Sequence, residues 1–155
     1  MKNTPAARTQ EFSIFEVGEL TCAISIEYIQ EINKQLEITR VYNAPEYVRG
    51  ILNLRGQIIT VIDLRIKFGF EPRTLNEDMR IIVVNYQDEK IGFLVDAIVD
   101  VVSVEPDCLE PPPSNISGIA GEYFCNIYKM RQQLAAVLNI DEVLKMNRDA
   151  LSPAR

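Results

Sequence analysis

VRGILNLRGQIITVIDLR, Val48 to Arg65, sets two apolar runs, Ile51 to Leu54 and Ile58 to Ile62, on either side of Arg55-Gly56-Gln57. Short runs rich in isoleucine, valine and leucine around a glycine-bearing turn are the pattern of a β-hairpin. Strands this apolar are buried, so the arginine at the tip must meet water or an acceptor of its own. Asp63 ends the second strand just ahead of Leu64, Ile66 and Phe68, the position of a helix N-cap, with Gly69 as the stop.

Before the hairpin, Phe12 to Val17 and Leu20 to Ser25 read as strands joined at Gly18-Glu19. Leu20, Cys22, Ile24 and Ile26 alternate with Thr21, Ala23 and Ser25, so Cys22 is expected in the core of a half-buried strand. Ser25 can cap a short helix through Glu27 to Ile32, because Ile29 and Ile32 are three apart. A strand over Glu37 to Val41 follows, then a helical turn at Ala44 to Tyr47 entered at Pro45 and stopped at Gly50. After the hairpin, the polar stretch Phe70 to Asp78 is the candidate boundary. Beyond it come strands at Arg80 to Tyr86 and Ile91 to Asp96, and a valine-rich run ended by Pro106. Pro111-Pro112-Pro113 is a stiff connector, Ile116 to Phe124 and Leu134 to Leu138 are strand-like, and Asp141 to Lys145 is a short helix.

The two halves repeat the same parts in the same order. Ile29-Gln30-Glu31-Ile32 corresponds to Ile98-Val99-Asp100-Val101, and Val61-Ile62-Asp63-Leu64 to Val137-Leu138-Asn139-Ile140. Gly50-Ile51 corresponds to Gly118-Ile119 if an insertion is accepted in the second half. The expected fold is therefore mainly β: two small five-stranded barrels packed side by side, with short helices. Residues 1–10 read as a disordered leader and 11–145 as one domain, with units near 11–70 and 78–145 and room for strand exchange between them; 146–155 reads as a polar tail.

Composition narrows the chemistry. The chain has 155 residues, no histidine and a net charge of −6. The missing imidazole removes the commonest general base, Ser-His and Cys-His pairs and most zinc sites. There is no Walker A loop and no G-x-G-x-x-G, and Gly118-Ile-Ala-Gly121 lacks the flanking basic residues of a nucleotide clamp. No cofactor and no metal are expected, and the acidic balance argues against nucleic acid. The exception is Arg40 to Lys67, where Arg40, Arg49, Arg55, Arg65 and Lys67 outnumber Glu46 and Asp63. A basic segment in an acidic protein suits an acidic partner site. No run is long and apolar enough to cross a bilayer, so the expected location is the cytoplasm, without direct membrane insertion. Three cysteines, Cys22, Cys108 and Cys125, are an odd and widely spaced set, expected reduced.

These residues give the chain a resemblance to the CheW-like adaptor family of bacterial chemotaxis signalling, over roughly Glu11 to Lys145. VRGILNLRGQIITVIDLR follows the family's G-x-x-N-L-R-G hairpin and closing V-I-D-L-R; YIQEI, IGFLVDAIVDVV and LEPPP support it. Thr60 and Asn139 depart from the proline and aspartate often found there. The resemblance implies SH3-like barrels and a non-catalytic adaptor. That adaptor would couple the cytoplasmic tip of membrane chemoreceptors, the methyl-accepting chemotaxis proteins, to the regulatory domain of a CheA-type histidine kinase, and would be recruited to membrane receptor arrays. It places receptor contact on Ile29, Glu31, Arg55, Ile98 and Val99, with an apolar groove taking a helical tip and Glu31 and Arg55 on its polar rim. Kinase contact falls on Ile38, Thr39, Arg40 and Gly50, at a sheet edge open to pairing. Competing readings make Ile29, Ile98 and Val99 plain core, Arg55 a solvated turn residue and Gly50 a helix stop. At the level of function, the alternatives are an adaptor of the same fold in a related chemosensory pathway controlling surface motility, and an enzyme acting through Asp63, Asp96 or Asp100.

Overall fold

The computed structural model describes residues 9–116 and 118–151. Most of the expected leader (residues 1–8) and the end of the expected tail (152–155) lie outside the described residues. In chain order the strands are β1 (Gln10–Val17), β2 (Leu20–Ser25), β3 (Ile29–Asn33), β4 (Val48–Leu54) and β5 (Gln57–Asp63). Then come the one-turn helix α1 (Leu64–Lys67), β6 (Arg80–Tyr86), β7 (Glu89–Val95) and β8 (Ala97–Val104). The short strands β9 (Leu109–Glu110), β10 (Asn115–Ile116) and β11 (Ile119–Ala120) precede β12 (Phe124–Lys129), β13 (Leu134–Leu138) and helix α2 (Ile140–Leu151), which runs past Lys145.

The fold is mainly β and rests on two sheets, one ordered β3-β6-β7-β5-β4 and the other β8-β1-β2-β13-β12-β9. Neither sheet is built from one half of the chain. Hairpin β1–β2 joins the later strands through the parallel pairs Cys22↔Ala136 and Ala23↔Val137, and β6–β7 joins the earlier ones through Thr60↔Ile91 and Val61↔Gly92. The inner faces meet in one core in which Phe15, Cys22 and Leu138 pack with Ile62, Ile82 and Phe93. Phe68, at the end of α1, reaches the other sheet, with its ring centroid 5.5 Å from those of both Tyr123 and Phe124.

The strand registers put the internal repeat on a residue-by-residue footing. Val48↔Ile62, Gly50↔Val61 and Ile51↔Thr60 in β4–β5 are matched by Phe124↔Leu138, Asn126↔Val137 and Ile127↔Ala136 in β12–β13, with a bulge at the same place. The amides of Asp63 and Asn139 donate to the carbonyls of Tyr47 and Tyr123, each at 2.7 Å. Their side chains then cap the next helix, Asp63 accepting from the Arg65 amide at 3.0 Å and Asn139 from the Glu142 amide at 3.2 Å. The counterpart of Gly50 is thus Asn126, not Gly118, and no insertion separates the two hairpins. Gly118 instead sits in the β10–β11 turn with φ +86.

Four local expectations are corrected. Glu27 to Ile32 is not a helix: Ser25 caps a single 3-10 turn, Ile26–Tyr28, and Ile29 onward is β3. A β-bulge in β3, at Gln30 between Ile29 and Glu31, gives Ile29 and Ile32 their helix-like spacing of three. Glu37 to Val41 forms no strand, only the isolated bridge Thr39↔Ile51. Ala44 to Tyr47 is a turn, closed by the Val48 amide on the Pro45 carbonyl at 2.9 Å, and Gly50 lies inside β4 instead of stopping a helix. Finally, Ile116 to Phe124 is broken into a two-strand ribbon and a 3-10 turn by Gly118 and Gly121.

Cys22 is fully buried and its thiol is pushed far above the usual range by burial, while Cys108 and Cys125 are exposed free thiols. Because the thiolate is the reactive form, a colourless-to-yellow thiol titration of the native protein is expected to count two thiols, Cys108 before Cys125, whose pKa burial also raises. The third is expected to appear only on unfolding. Three equivalents under native conditions would mean that β2 opens readily.

Candidate functional site

The hairpin tip is a two-residue turn, with Arg55 at φ +50 and Gly56 at φ +86. Both central residues left-handed is the type I′ geometry that matches strand twist. The Asn53 side-chain oxygen accepts from the Gly56 amide at 3.0 Å and fixes the turn. Arg55 therefore leaves the sheet in a defined direction.

That direction leads to Glu31. The Arg55 guanidinium Nη2 donates to Glu31 Oε2, joining the β4–β5 tip to β3. β3 and β4 are the opposite edges of the five-stranded sheet, so this contact brings the turn that follows one edge strand against the other edge strand. Arg55 stays 71% exposed and Glu31 28%. A pair this open contributes about 0–1 kcal/mol at most, so the left-handed arginine is set by the two-residue turn and not by the pair.

Of the other residues expected at the receptor site, Ile29 and Ile98 occupy matching positions in the two sheets, opposite Val84 and Phe15. Both are partly buried against the shared core, so the core reading of these two is correct in part. Val99 is not core. It is the bulge residue of edge strand β8, 49% exposed, with Val101 exposed beyond it. Ile32, the counterpart of Val101, is also exposed. Each sheet thus ends in an edge strand that turns branched apolar side chains outward.

Ile38, Thr39, Arg40 and Gly50 converge on the other side of β4. Ile38 packs against a second core cluster around Leu52, Ile59 and Met79. Thr39 exchanges two backbone hydrogen bonds with Ile51, at 2.8 and 2.7 Å. The sheet edge expected to be open here is therefore covered at Ile51. A cavity of about 400 Å³ beside it is lined by Ile38, Arg40, Glu46, Arg49 and Ile66 among others. Sequence reasoning missed how the basic segment is used: Arg49 pairs with buried Asp63 at 2.7 Å, and Arg65 with buried Asp96 at 2.6 Å. The helix-cap position of Asp63 was the available signal for the first; nothing local signalled the second.

A model of the CheW-like domain matches residues 11–148, across both sheets and the Arg55 hairpin. The chain belongs to the CheW-like family. This CheW-like chain is 32% identical over 142 residues to the chemotaxis protein CheW of Klebsiella aerogenes, with 92% of this chain and 86% of that protein covered. To the chemotaxis protein CheW of Helicobacter pylori it is 34% identical over 135 residues, covering 87% and 81%. Its structure is similar to the crystal structure of the scaffolding protein TtCheW from Thermoanaerobacter tengcongensis, with a TM-score of 0.79, 32% identity and coverage of 84% and 89%.

The three carboxylates of the enzyme reading do not converge in this CheW-like chain. Asp63 caps α1 and pairs with Arg49, Asp96 accepts from Arg65 and from the Gly18 amide, and Asp100 caps the amide of Val101 at the solvent edge. Among the described residues no group of three or more Cys, Asp or Glu is arranged to hold a metal, and no helix is long and apolar enough to cross a membrane.

Proposed function

We propose that this CheW-like chain is a non-catalytic adaptor. It couples the cytoplasmic tips of chemoreceptors to the regulatory domain of a CheA-type histidine kinase in chemotaxis signalling, working in the cytoplasm at membrane receptor arrays. The observation that carries this reading is the Arg55–Glu31 pair, an exposed charged pair that a type I′ turn holds at the hairpin tip and that adds little to stability. It stands beside the exposed edge of β3 and supplies the charged rim that a receptor helix needs for register, with Ile29 as apolar support. Ile98 and Val99 extend the receptor surface along β8. Ile38, Thr39, Arg40 and Gly50 form the kinase surface, where an apolar side chain and an acidic partner group would meet Ile38 and Arg40. The membership of the CheW-like family and the separation of the three carboxylates both support an adaptor over an enzyme.

The test is a binding assay with a receptor cytoplasmic fragment and a kinase regulatory domain. Arg55→Glu is expected to weaken receptor binding about tenfold or more, roughly 1.4 kcal/mol, with native circular dichroism and unchanged kinase binding. Restoring the opposite charge with Glu31→Arg in the same chain is expected to recover the fold contact but not the receptor affinity. Unchanged receptor affinity in a natively folded Arg55→Glu protein would remove Arg55 from the receptor surface.

A further inference from the structure

A cavity of about 260 Å³ lies between the start of β1, the 3-10 turn after β2, the end of β6 and the first turn of α2. Its wall combines β12–β13 of one sheet and helix α2 with Tyr86 from the β6–β7 hairpin of the other. Carboxylates enter it from two sides, Glu27 and Asp141, and three aromatic residues line it, Phe12, Tyr28 and Tyr86. Among the residues lining it there is no lysine or arginine.

Among the described residues lining this wall the charged side chains, Glu27 and Asp141, have one sign. The Tyr86 hydroxyl donates to Asp141 Oδ1, which orients that carboxylate. The phenol of Tyr28 is held above its ordinary pKa first by burial and then by Glu27, Asp141 and Cys125, so the negative field reaches its ring. The positive end of α2, which would otherwise attract an anion, is already engaged: Asn139 accepts from the Glu142 amide, and Asp141 and Glu142 stand in the first turn.

We propose that this cavity binds a small organic ammonium ion. A cation is the charge its carboxylates call for, and aromatic faces replace part of the water that an organic ammonium gives up. The same fold already makes such a contact elsewhere, with Lys67 Nζ 3.7 Å from the centroid of the Tyr47 ring. Sites for drug-sized ligands run about 300–1,000 Å³, so a ligand here is smaller, of the size of a tetraalkylammonium with short arms or a simple primary amine. With only partly desolvated charges each contact contributes little, so the affinity is low. Because Tyr86 ends β6 of one sheet and α2 follows β13 of the other, an occupied cavity ties the two sheets together at this end.

The experiment is a titration of the full-length, ¹⁵N-labelled protein with tetramethylammonium chloride and with n-butylammonium chloride, followed by amide shifts at constant ionic strength. Sodium chloride and sodium acetate serve as controls. Saturable shifts at Tyr28, Tyr86 and Asp141 with either ammonium are expected, and both Asp141→Asn and Tyr28→Leu are expected to raise Kd about fivefold. Saturation with tetramethylammonium assigns recognition to the rings and the field, and saturation with n-butylammonium alone assigns it to N–H donation. The proposal is overturned by shifts that never saturate, by shifts equal to those with sodium chloride, or by saturation with acetate, which marks the α2 terminus as an anion site. It is equally overturned if natively folded Tyr28→Leu keeps the wild-type Kd. Should Asp141→Asn lose the native spectrum, Tyr28→Leu decides alone.

Discussion

Gly50→Ala is expected to lower the unfolding free energy by about 3 kcal/mol, read in urea denaturation and as a melting temperature about 6–12 °C lower. Gly50 adopts φ +151, and a Cβ there would stand 2.1 Å from the Thr39 carbonyl oxygen and 2.8 Å from Ile38 Cγ2. The carbonyl cannot swing away, because it accepts the Ile51 amide at 2.7 Å. The alanine variant must therefore break the bridge between the 34–40 segment and β4, and expose Ile38 as it does so. Asn126→Ala, at the matching position of the other hairpin, is expected to cost less than about 1 kcal/mol, since only its amide contact to the Glu110 carbonyl at 3.3 Å is lost. Equal stability of Gly50→Ala and the parent protein would show that the Thr39 segment is not held against β4 in solution. Partial loss of kinase binding at temperatures where Gly50→Ala is still folded is a further expectation, because Ile38, Thr39 and Arg40 lose their support together.

The second large effect is at Asp96. Its carboxylate, 8% exposed, accepts from Arg65 at 2.6 Å and from the Gly18 amide at 2.7 Å, so one side chain joins the β7–β8 junction to α1 and to the β1–β2 turn. Asp96→Ala leaves a guanidinium 11% exposed without its counter-charge, and the expected cost is about 3–5 kcal/mol. Arg65 keeps its bond to the Glu71 carbonyl at 2.8 Å, while Arg73, 3.8 Å from the same carboxylate and half exposed, falls back on water. The double variant Asp96→Leu with Arg65→Met is expected to recover most of that loss, since an ion pair can be replaced by apolar packing where a lone charge cannot be tolerated. Additive single effects in the double-mutant cycle would mean that the two residues act independently.

How far the sequence spoke depended on whether a signal was local. The hairpin at Val48 to Asp63, the cap at Asp63 and the closing motif at Val137 to Ile140 were legible because turn chemistry and alternation are short-range. The helix expected at Glu27 to Ile32 failed for a definite reason: a bulge adds one residue to a strand and turns a spacing of two into three, which is the spacing of a helix face. The repeat was matched wrongly at Gly50 because glycine was paired with glycine. What places glycine at 50 is the Thr39 carbonyl, which would stand 2.1 Å from a Cβ there; the matching bridge of the second half, Glu110↔Ile127, leaves room for the Asn126 side chain, whose amide donates to the Glu110 carbonyl at 3.3 Å. In the candidate site, Arg55 was legible as a charge without a local partner. That Glu31 would meet it was not, because they belong to opposite edges of a sheet and only the tertiary structure brings them together.

The crossing of hairpins between the two sheets has a consequence for how the protein is made. β1 and β2 leave the ribosome before the later strands, yet β2 completes its sheet only when Ala136 and Val137 arrive beside Cys22 and Ala23. During that interval Leu20, Cys22 and Ile24 have no sheet to enter. Contacts of such sequence separation slow folding and leave nascent strands open to wrong partners. The yield of folded protein is therefore expected to depend on synthesis rate and on early chaperone capture. A ribosome stalled after the 70–78 segment would hold a chain whose first hairpin still lacks its neighbour.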